Sequence, residues 1–243
     1  MRRAVLSFLP CLAGPASAAT PAQSALRPFG IQAEHIGWLW NMTLAICGAV
    51  FVAVVAAFLF AMWRAPKDGA GHAPELGSLL RPERAIQRTV AWAVGACVVL
   101  LLVLLAADVF TSRALARMPL KNAVNIELVG HQWWWEARYQ YADTSLNFST
   151  ANELHIPAGR PVVISLRSTD VIHSLWIPNL HGKRDLIPGR TALLRLRADR
   201  PGLYRGQCAE FCGLQHARMA LDVVADPPAQ YEAWAARQRQ PAL

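Results

Sequence analysis

The residues of this chain best suited to metal chemistry lie close together near its C-terminal end. Residues 207–219 read QCAEFCGLQHARM and contain two thiols, one imidazole and one thioether, those of Cys208, Cys212, His216 and Met219. Thiolate and thioether sulfur combined with imidazole nitrogen is the ligand set that selects copper. The segment therefore predicts a copper site.

The number of donors favours two copper ions over one. A mononuclear blue-copper centre uses one Cys, two His and a weak axial ligand, whereas here a second thiol follows the first. Two thiolates that bridge two ions leave each ion needing one imidazole and one weak axial donor. His216 is one imidazole, and His173, in the segment DVIH, is the best second one. Met219 is one axial donor, and a main-chain carbonyl between the cysteines, with Glu210 the natural position, is the other.

Two other interpretations of these cysteines stay open. Cys208 and Cys212 could form a disulfide in an oxidising compartment, and the spacing Cys-x3-Cys-x3-His could bind zinc. Neither explains Met219, because a thioether is a poor zinc ligand and has no part in a disulfide. Copper is therefore the favoured interpretation.

A β-domain is predicted to position these ligands from about residue 122 onward. Short strand-like segments alternate there with turn signals such as Pro188-Gly189 and Pro201-Gly202. The predicted strands are Val124–Leu128, Gln132–Tyr139, Val162–Leu166, Ile172–Ile177, Ala192–Leu196, Leu203–Gln207 and Ala220–Val224. Short strands without intervening helices indicate a β-sandwich or Greek-key barrel, and Ala229–Arg239 predicts a short amphipathic helix after it.

Two long apolar segments precede the β-domain. No charged residue occurs from Ile36 to Trp63 or from Thr89 to Ala107. About 20 apolar residues suffice for a helix to cross the hydrocarbon core, so we predict transmembrane helices over 36–63 and 89–111. Tryptophans near the ends of the two segments are typical of the membrane interface. Only 16% of the chain is charged, fewer than the roughly one-quarter usual in soluble domains.

The N-terminus has the features of a secretory signal. Met1-Arg2-Arg3 is basic, Ala4–Leu12 is apolar but too short to span a membrane, and Ala16-Ser17-Ala18 is a small-x-small cleavage pattern. This arrangement predicts a signal peptide over residues 1–18.

The distribution of basic residues predicts the orientation. The segment 64–88 contains five Lys and Arg residues, whereas 19–35 contains one, so positive-inside counting places the loop in the cytoplasm. Arg113, Arg117 and Lys121 argue weakly in the opposite direction. The predicted organisation is a multi-pass bacterial inner-membrane protein whose copper domain lies in the periplasm. Its segments are a signal peptide (1–18), a periplasmic segment (19–35), a first helix (36–63), a cytoplasmic loop (64–88), a second helix (89–111), a copper domain (122–226) and a C-terminal helix and tail (227–243).

The net charge does not indicate nucleic-acid binding. The formal charge is +8, but the basic residues are spread over loops and segment ends rather than gathered in long runs. We expect the membrane and other proteins as partners, and no nucleic acid.

Three sequence blocks together resemble one protein family. They are GHQWWWEARY (130–139), HSLWIPNLHGKRDLIPGR (173–190) and RPGLYRGQCAEFCGLQHARM (200–219). In this order, after two apolar segments, they resemble subunit II of the haem–copper cytochrome c oxidases over roughly residues 30–226. The resemblance implies two membrane helices followed by a cupredoxin domain with a dinuclear copper centre, CuA. It also implies as partners oxidase subunits I and III and a cytochrome c-type electron donor.

The resemblance implies a role for each site residue. Cys208 and Cys212 would bridge the coppers, His173 and Met219 would complete one ion, and His216 with the Glu210 carbonyl would complete the other. The Glu210 side chain would contribute to a Mg²⁺ site shared with subunit I. Trp133 would be the point where electrons enter from cytochrome c, while strand packing explains at least one of the tryptophans at 133–135. Asp170 would orient His173 from outside the ligand set.

Two features depart from the family pattern. Many members carry a glutamate three residues before a tryptophan near the start of the second span, at a proton-uptake entrance. Counting back from Trp92 gives Thr89, so that role is not carried over. The acidic docking surface also looks thinned, because residues 122–243 hold 13 Lys+Arg and 11 Asp+Glu, and Arg138 stands where a carboxylate is common.

Rival functions come from other classes. A membrane-anchored periplasmic copper-binding or delivery module would need an exchangeable site and no tryptophan for electron uptake. A nitrous-oxide-reductase type of enzyme would need a large additional catalytic domain, and a quinol oxidase subunit II would lack the copper ligands. We therefore expect a non-catalytic electron-transfer subunit of cytochrome c oxidase, a proton-translocating oxidoreductase.

Overall fold

The computed structural model describes residues 23–65 and 84–239 of the chain. The predicted signal peptide and most of the predicted cytoplasmic loop lie outside these residues. Two long helices come first in the described part, and a β-domain and one short helix follow.

The two charge-free segments form the two long helices. Helix α1 spans Ile31–Arg64 and helix α2 spans Arg84–Ala116, and the two pack against each other as a hairpin. Both are long and apolar enough to cross a membrane. Each has more than 30 residues and is about 50 Å long. That exceeds the roughly 30 Å of the hydrocarbon core, so the polar helix ends extend beyond the predicted spans.

Ten strands build two five-stranded sheets. The strands are β1 Val124–His131, β2 Trp134–Tyr139, β3 Phe148–Ala151, β4 Glu153–Pro157, β5 Val162–Ser168, β6 His173–Trp176, β7 Arg184–Leu186, β8 Ala192–Leu196, β9 Gly202–Cys208 and β10 Ala220–Asp226. Their order is β3-β2-β1-β5-β8 in one sheet and β4-β10-β9-β6-β7 in the other. The pairs β1–β5 and β4–β10 are parallel, and the remaining neighbours are antiparallel. The predicted fold class, two helices followed by an all-β cupredoxin-like domain, is confirmed.

The core lies between the sheets and follows the alternation of the strands. In β5, Val162, Ile164 and Leu166 are buried while the residues between them are partly exposed. Strand β10 buries Leu221 and Val223 in the same way. Successive side chains of a strand point to opposite faces, so apolar residues at every second position build one shared core.

Three strands were missed by the sequence prediction. Strands β3 and β4 are separated only by Asn152, which has a positive φ of 57° and whose side chain accepts a hydrogen bond from the Trp135 amide. Strand β7 has three residues, two of them charged, and pairs with β6. Strands β3 and β7 are too short to show a clear apolar alternation, whereas β4 buries Leu154 and Ile156 at alternate positions. Strand β2 begins at Trp134, not Gln132, because the Gln132 amide donates to the Asp170 carboxylate instead of to a strand.

The segment before α1 lies against the β-domain. The Phe29 amide donates to the Asn179 carbonyl, and the Asp199 amide donates to the Phe29 carbonyl, both at 2.8 Å. The Gln32 side chain, which is buried, accepts from the Arg197 amide. The N-terminal segment and the β-domain therefore lie on the same side of the helix hairpin.

The short C-terminal helix covers one end of the β-domain. Helix α3 spans Pro228–Gln238, close to the predicted Ala229–Arg239. Its Trp234 ring stacks on the His155 ring, with centroids 4.0 Å apart. The apolar face predicted from the sequence is thus the face that packs on the domain.

Candidate metal centre

Two neighbouring strands and one loop place the predicted ligands together. Strand β9 ends at Cys208, β6 begins at His173, and Leu175 of β6 pairs with Cys208. The loop that follows β9 returns to β10 through Met219, whose carbonyl accepts a 3.0 Å hydrogen bond from the Cys208 amide. The Ala209 amide donates to the Ser174 carbonyl. Both ends of the loop are therefore held by the sheet.

The donor atoms of the five side chains and one carbonyl form a continuous cluster. The two thiol sulfurs are 3.8 Å apart. The Cys208 sulfur lies 3.8 Å from His173 Nδ1 and 3.2 Å from the Glu210 carbonyl oxygen. The Cys212 sulfur lies 3.6 Å from His216 Nδ1 and 3.8 Å from the Met219 sulfur. The structure thus brings together every residue that the sequence predicts as a copper ligand.

The chemistry of this donor set fits copper. The two sulfurs are too far apart for a disulfide, whose S–S length is about 2.05 Å, and both cysteines are free thiols. His173, Cys208 and Cys212 offer ligand atoms that all lie within 4.8 Å of one another, and all three are buried. Met219 is buried beside them, and soft sulfur donors with imidazole nitrogen suit copper better than zinc. The residues therefore fit the group that the sequence predicted.

Asp170 fixes the orientation of the His173 ring. One carboxylate oxygen lies 2.8 Å from His173 Nε2, while the other accepts from the Gln132 amide at 2.7 Å. With Nε2 held by Asp170, Nδ1 is the ring nitrogen that faces the Cys208 sulfur. A carboxylate that holds the outer nitrogen of a metal-binding His is a common way to set its tautomer.

The two thiols have opposite tendencies to ionise. Burial disfavours the Cys208 thiolate, but hydrogen bonds from His173 and from the loop outweigh it and lower its pKa to about 6. Burial and the charge of the Cys208 thiolate raise the pKa of Cys212. For His173, burial favours the neutral ring, but Cys208 and Asp170 raise its pKa above the ordinary value. In the metal-free site, Cys208 therefore ionises more readily than Cys212. Cys212 would lose its proton when a bound cation balances the second negative charge.

The three adjacent tryptophans have three different environments. Trp133 packs against the edge of the core, and its Nε1 donates to the Cys212 carbonyl at 3.1 Å. Trp134 is 37% exposed and stacks on His131. Trp135 is fully buried, with its ring 6.1 Å from that of His173. Trp133 and Trp135 both donate to carbonyls of ligand residues, Trp135 to that of Met219 at 3.5 Å. Trp133 also lines a surface depression.

The comparisons with known proteins point to one family. The model of the family described as the cytochrome c oxidase subunit II periplasmic domain matches residues 146–226. Cytochrome c oxidase subunit 2 of Alkalihalophilus pseudofirmus is 34% identical over 218 residues, which cover 87% of this chain and 60% of that protein. The protein of the same name from Cereibacter sphaeroides is 27% identical, with 83% of this chain and 75% of that protein covered. The segment of the β-domain that this model matches belongs to the cytochrome c oxidase subunit II periplasmic-domain family.

The similar solved structures include a periplasmic domain. The crystal structure of the periplasmic domain of subunit II of cytochrome oxidase from Bradyrhizobium japonicum is 26% identical, with a TM-score of 0.46, and covers 50% of this chain and 97% of that one. The chain spans 60% of the length of the Alkalihalophilus relative. The long apolar helices and the family of the β-domain together show a membrane-anchored protein.

Two glycines at the site were not predicted from the sequence. A Cβ at Gly130 would lie 2.9 Å from Cδ2 of His173. A Cβ at Gly213 would lie 3.1 Å from the Trp133 ring, and Gly213 has a φ of +118°. A glycine within a strand pattern often marks such a close approach, which is the signal that could have identified Gly130. Both positions let an aromatic ring lie against the backbone of this subunit II domain.

The Glu210 side chain and Thr89 are the remaining positions that the sequence analysis discussed. The Glu210 side chain is partly exposed beside the cluster, so its carbonyl and its carboxylate face different surroundings. Thr89 lies near the start of α2, where its hydroxyl donates to the Ala85 carbonyl. The functional roles of both positions stay predictions.

Proposed function

We propose that this chain is subunit II of a respiratory cytochrome c oxidase. It accepts electrons one at a time from a cytochrome c-type donor and passes them to the haem of subunit I for oxygen reduction. The observation that carries the proposal is the cluster of two thiols, two imidazoles, one thioether and one carbonyl. Its thiols, its thioether and the His173 ring are buried, and His216 is partly exposed. Similarity to the subunit II family supports the same function.

Six groups of the chain would hold the dinuclear copper centre. The thiolates of Cys208 and Cys212 would bridge the two ions, His173 and Met219 would complete one of them, and His216 with the Glu210 carbonyl would complete the other. When bound, the copper pair would supply one-electron transfer, with the change of charge spread over both ions and the two sulfur ligands. The protein would hold these ligands in fixed positions, because hydrogen bonds join the ends of the ligand loop to β6 and to the start of β10.

The site has the properties of an electron-transfer centre and not those of a pocket that binds a substrate. His173, Cys208, Cys212 and Met219 are at most 4% exposed, and each protein donor already faces another donor. A substrate would need an open coordination position. As the second part of the proposal, Trp133 would carry electrons from the surface to the cluster through its hydrogen bond to the Cys212 carbonyl.

The partners and location follow from the same proposal. Subunits I and III would contact the helix hairpin and the underside of the β-domain in the bacterial inner membrane. The copper domain would lie in the periplasm, with the N-terminal segment on the same side. The contact of that segment with the β-domain supports this orientation.

The experiment on the full-length protein is a copper analysis combined with electron paramagnetic resonance. We expect two coppers per chain and, after half-reduction, a spectrum in which one unpaired electron interacts with both nuclei. A four-line spectrum from a single copper would exclude the dinuclear centre. Copper that a mild chelator removes would favour the rival function, a copper-binding and delivery module.

The magnesium proposal has a separate test, because it uses a different group of Glu210. The Glu210→Ala variant of the assembled oxidase should keep both coppers, since the donor to copper is the main-chain carbonyl, but should lose bound Mg²⁺. Met219→Ala is the matched control, and it should change the copper spectrum and keep Mg²⁺. Metal analysis that finds unchanged Mg²⁺ in Glu210→Ala would contradict the shared site.

A further inference from the structure

A surface depression lies beside the proposed point of electron uptake. It has a volume of about 250 Å³, and its lining residues come from the turn between β1 and β2, the turn after β3, strands β9 and β10, and the ligand loop between those two strands. They are Trp133, Asn152, Arg205, Arg218, Ala220 and Asp222. The depression therefore joins the ring of Trp133 to solvent, and its charged wall consists of two arginines and one aspartate.

The charge of this wall is positive. Arg205 forms an ion pair with Asp222 at 3.4 Å, with both side chains about half exposed. The Arg218 guanidinium has no hydrogen bond or ion pair within residues 23–65 and 84–239. One uncompensated guanidinium thus stands next to the Trp133 ring, where an acidic docking surface would place carboxylates.

The carboxylates on the neighbouring strands are already neutralised. Arg138 lies 2.8 Å from Glu136 and 3.2 Å from Glu127, and Arg167 lies 3.2 Å from the other oxygen of Glu127. Hydrogen bonding to Arg138 lowers the pKa of Glu136. These two glutamates are mostly buried, so they offer little negative surface to a basic protein.

Among the other acids near the depression and the ligand loop, Asp170 is occupied and Glu153 pairs with His155, while Glu210 is partly exposed without an ion pair in the described part of the chain. Asp170 is bound by His173 and by two main-chain amides. Apolar side chains project from the ligand loop, where Phe211 is 77% exposed and Leu214 is 96% exposed. A partner that docks here meets an apolar centre with a positive edge.

We propose that the electron donor of this subunit is a c-type cytochrome with an acidic rim around its electron-exit edge. The carboxylates of that rim would pair with Arg218 and Arg205, and the apolar edge would cover Phe211 and Leu214. This inference rests on the proposed function, and it names the chemistry of the partner. Opposite charges across an interface mainly raise the association rate, and added salt screens them because the Debye length is about 8 Å at physiological ionic strength.

The test compares two probes with the purified oxidase, an acidic and a strongly basic cytochrome c. With the acidic probe, kcat/KM should fall steeply as salt rises, and Arg218→Gln and Arg205→Gln should each lower it by about three- to tenfold at low salt. With the basic probe, the same variants should leave kcat/KM unchanged or raise it. Arg160→Gln is the matched control, since Arg160 is also a partly exposed arginine paired with a carboxylate, Glu232, but lies near the start of β1.

Two further measurements separate the possible failures. Because Arg218 lies within the ligand loop, copper content and the resonance spectrum are measured for every variant, and Arg205, on β9, provides a second variant outside the loop. Loss of rate with the basic probe, or no loss with the acidic one, would overturn the acidic-donor proposal. Failure of a small reductant such as ascorbate with a mediator to reduce the copper centre would instead count against the proposed function.

Discussion

The indole nitrogen of Trp133 donates a 3.1 Å hydrogen bond to the carbonyl oxygen of Cys212. The Gln132 side-chain amide donates to the same oxygen at 2.7 Å. A partly buried ring is thereby joined through one hydrogen bond to the main chain of a proposed bridging ligand. The link is short, and it does not use any atom that would bind metal.

Trp133→Ala should keep both coppers and slow reduction by the donor. The loss of the ring removes the connection between surface and cluster, so we expect the rate to fall about tenfold or more, which corresponds to about 1.4 kcal/mol in activation free energy. Stopped-flow reduction and copper analysis are the measurements. Trp134→Ala is the control, because Trp134 is exposed and stacks on His131. A larger effect in Trp134→Ala or Trp135→Ala than in Trp133→Ala would show that the uptake point is elsewhere.

Gly213→Ala should displace the Trp133 ring. The added methyl would lie 3.1 Å from that ring, and the φ of +118° is unfavourable for alanine. Gly189→Ala is a matched control, since Gly189 has a φ of +75° and no atom within 4 Å of the added methyl. Reduction by the donor should slow in Gly213→Ala only, and an equal effect in both variants would assign it to backbone strain alone.

Asp170→Asn should weaken copper binding through His173. The carboxylate fixes the ring through a 2.8 Å contact to Nε2, and replacing such a partner typically costs about 10- to 100-fold in metal affinity. Competition with a chelator measures the affinity. Asp185→Asn is the control, because Asp185 accepts from Ser174, the neighbour of His173, and does not touch the ring. Unchanged affinity in Asp170→Asn would show that packing alone orients His173.

The copper-free protein should release its two thiol protons at widely separated pH values. As pH rises, thiolate absorbance should first increase near pH 6, because the hydrogen bonds around Cys208 lower its pKa to that value. The second proton should leave only well above the ordinary range, since the first thiolate and burial raise the pKa of Cys212. The two steps belong to the coupled pair.

The measurement needs a background without the other thiols. Cys47 and Cys97 lie in the membrane helices and Cys11 lies in the predicted signal peptide, so the titration uses the variant in which all three are alanine. In a further Cys208→Ser variant, Cys212 should titrate at a lower pH than in the pair, because its charged neighbour is gone. A single two-proton step near the pKa of free cysteine would contradict the predicted interaction.

The sequence by itself determined the features that depend on local pattern. Charge-free runs specify the two long helices because lipid excludes charge, and the alternation in β5 and β10 specifies which side chains are buried. The spacing of Cys208, Cys212, His216 and Met219 already brings four donors into one loop. These features need no knowledge of distant contacts, since each is a property of consecutive residues.

Only the tertiary structure decided which residues from different strands lie in contact. His173 is one of seven histidines, and it reaches the thiols because β6 pairs with β9 at Leu175 and Cys208. The close approach of Gly130 to His173 likewise joins segments that are far apart in sequence. Arg138 meets Glu127 because strands β1 and β2 pair in that register. Strands β3 and β7 have little apolar pattern of their own and depend on pairing with β2 and β6, whereas β4 places Leu154 and Ile156 in the core.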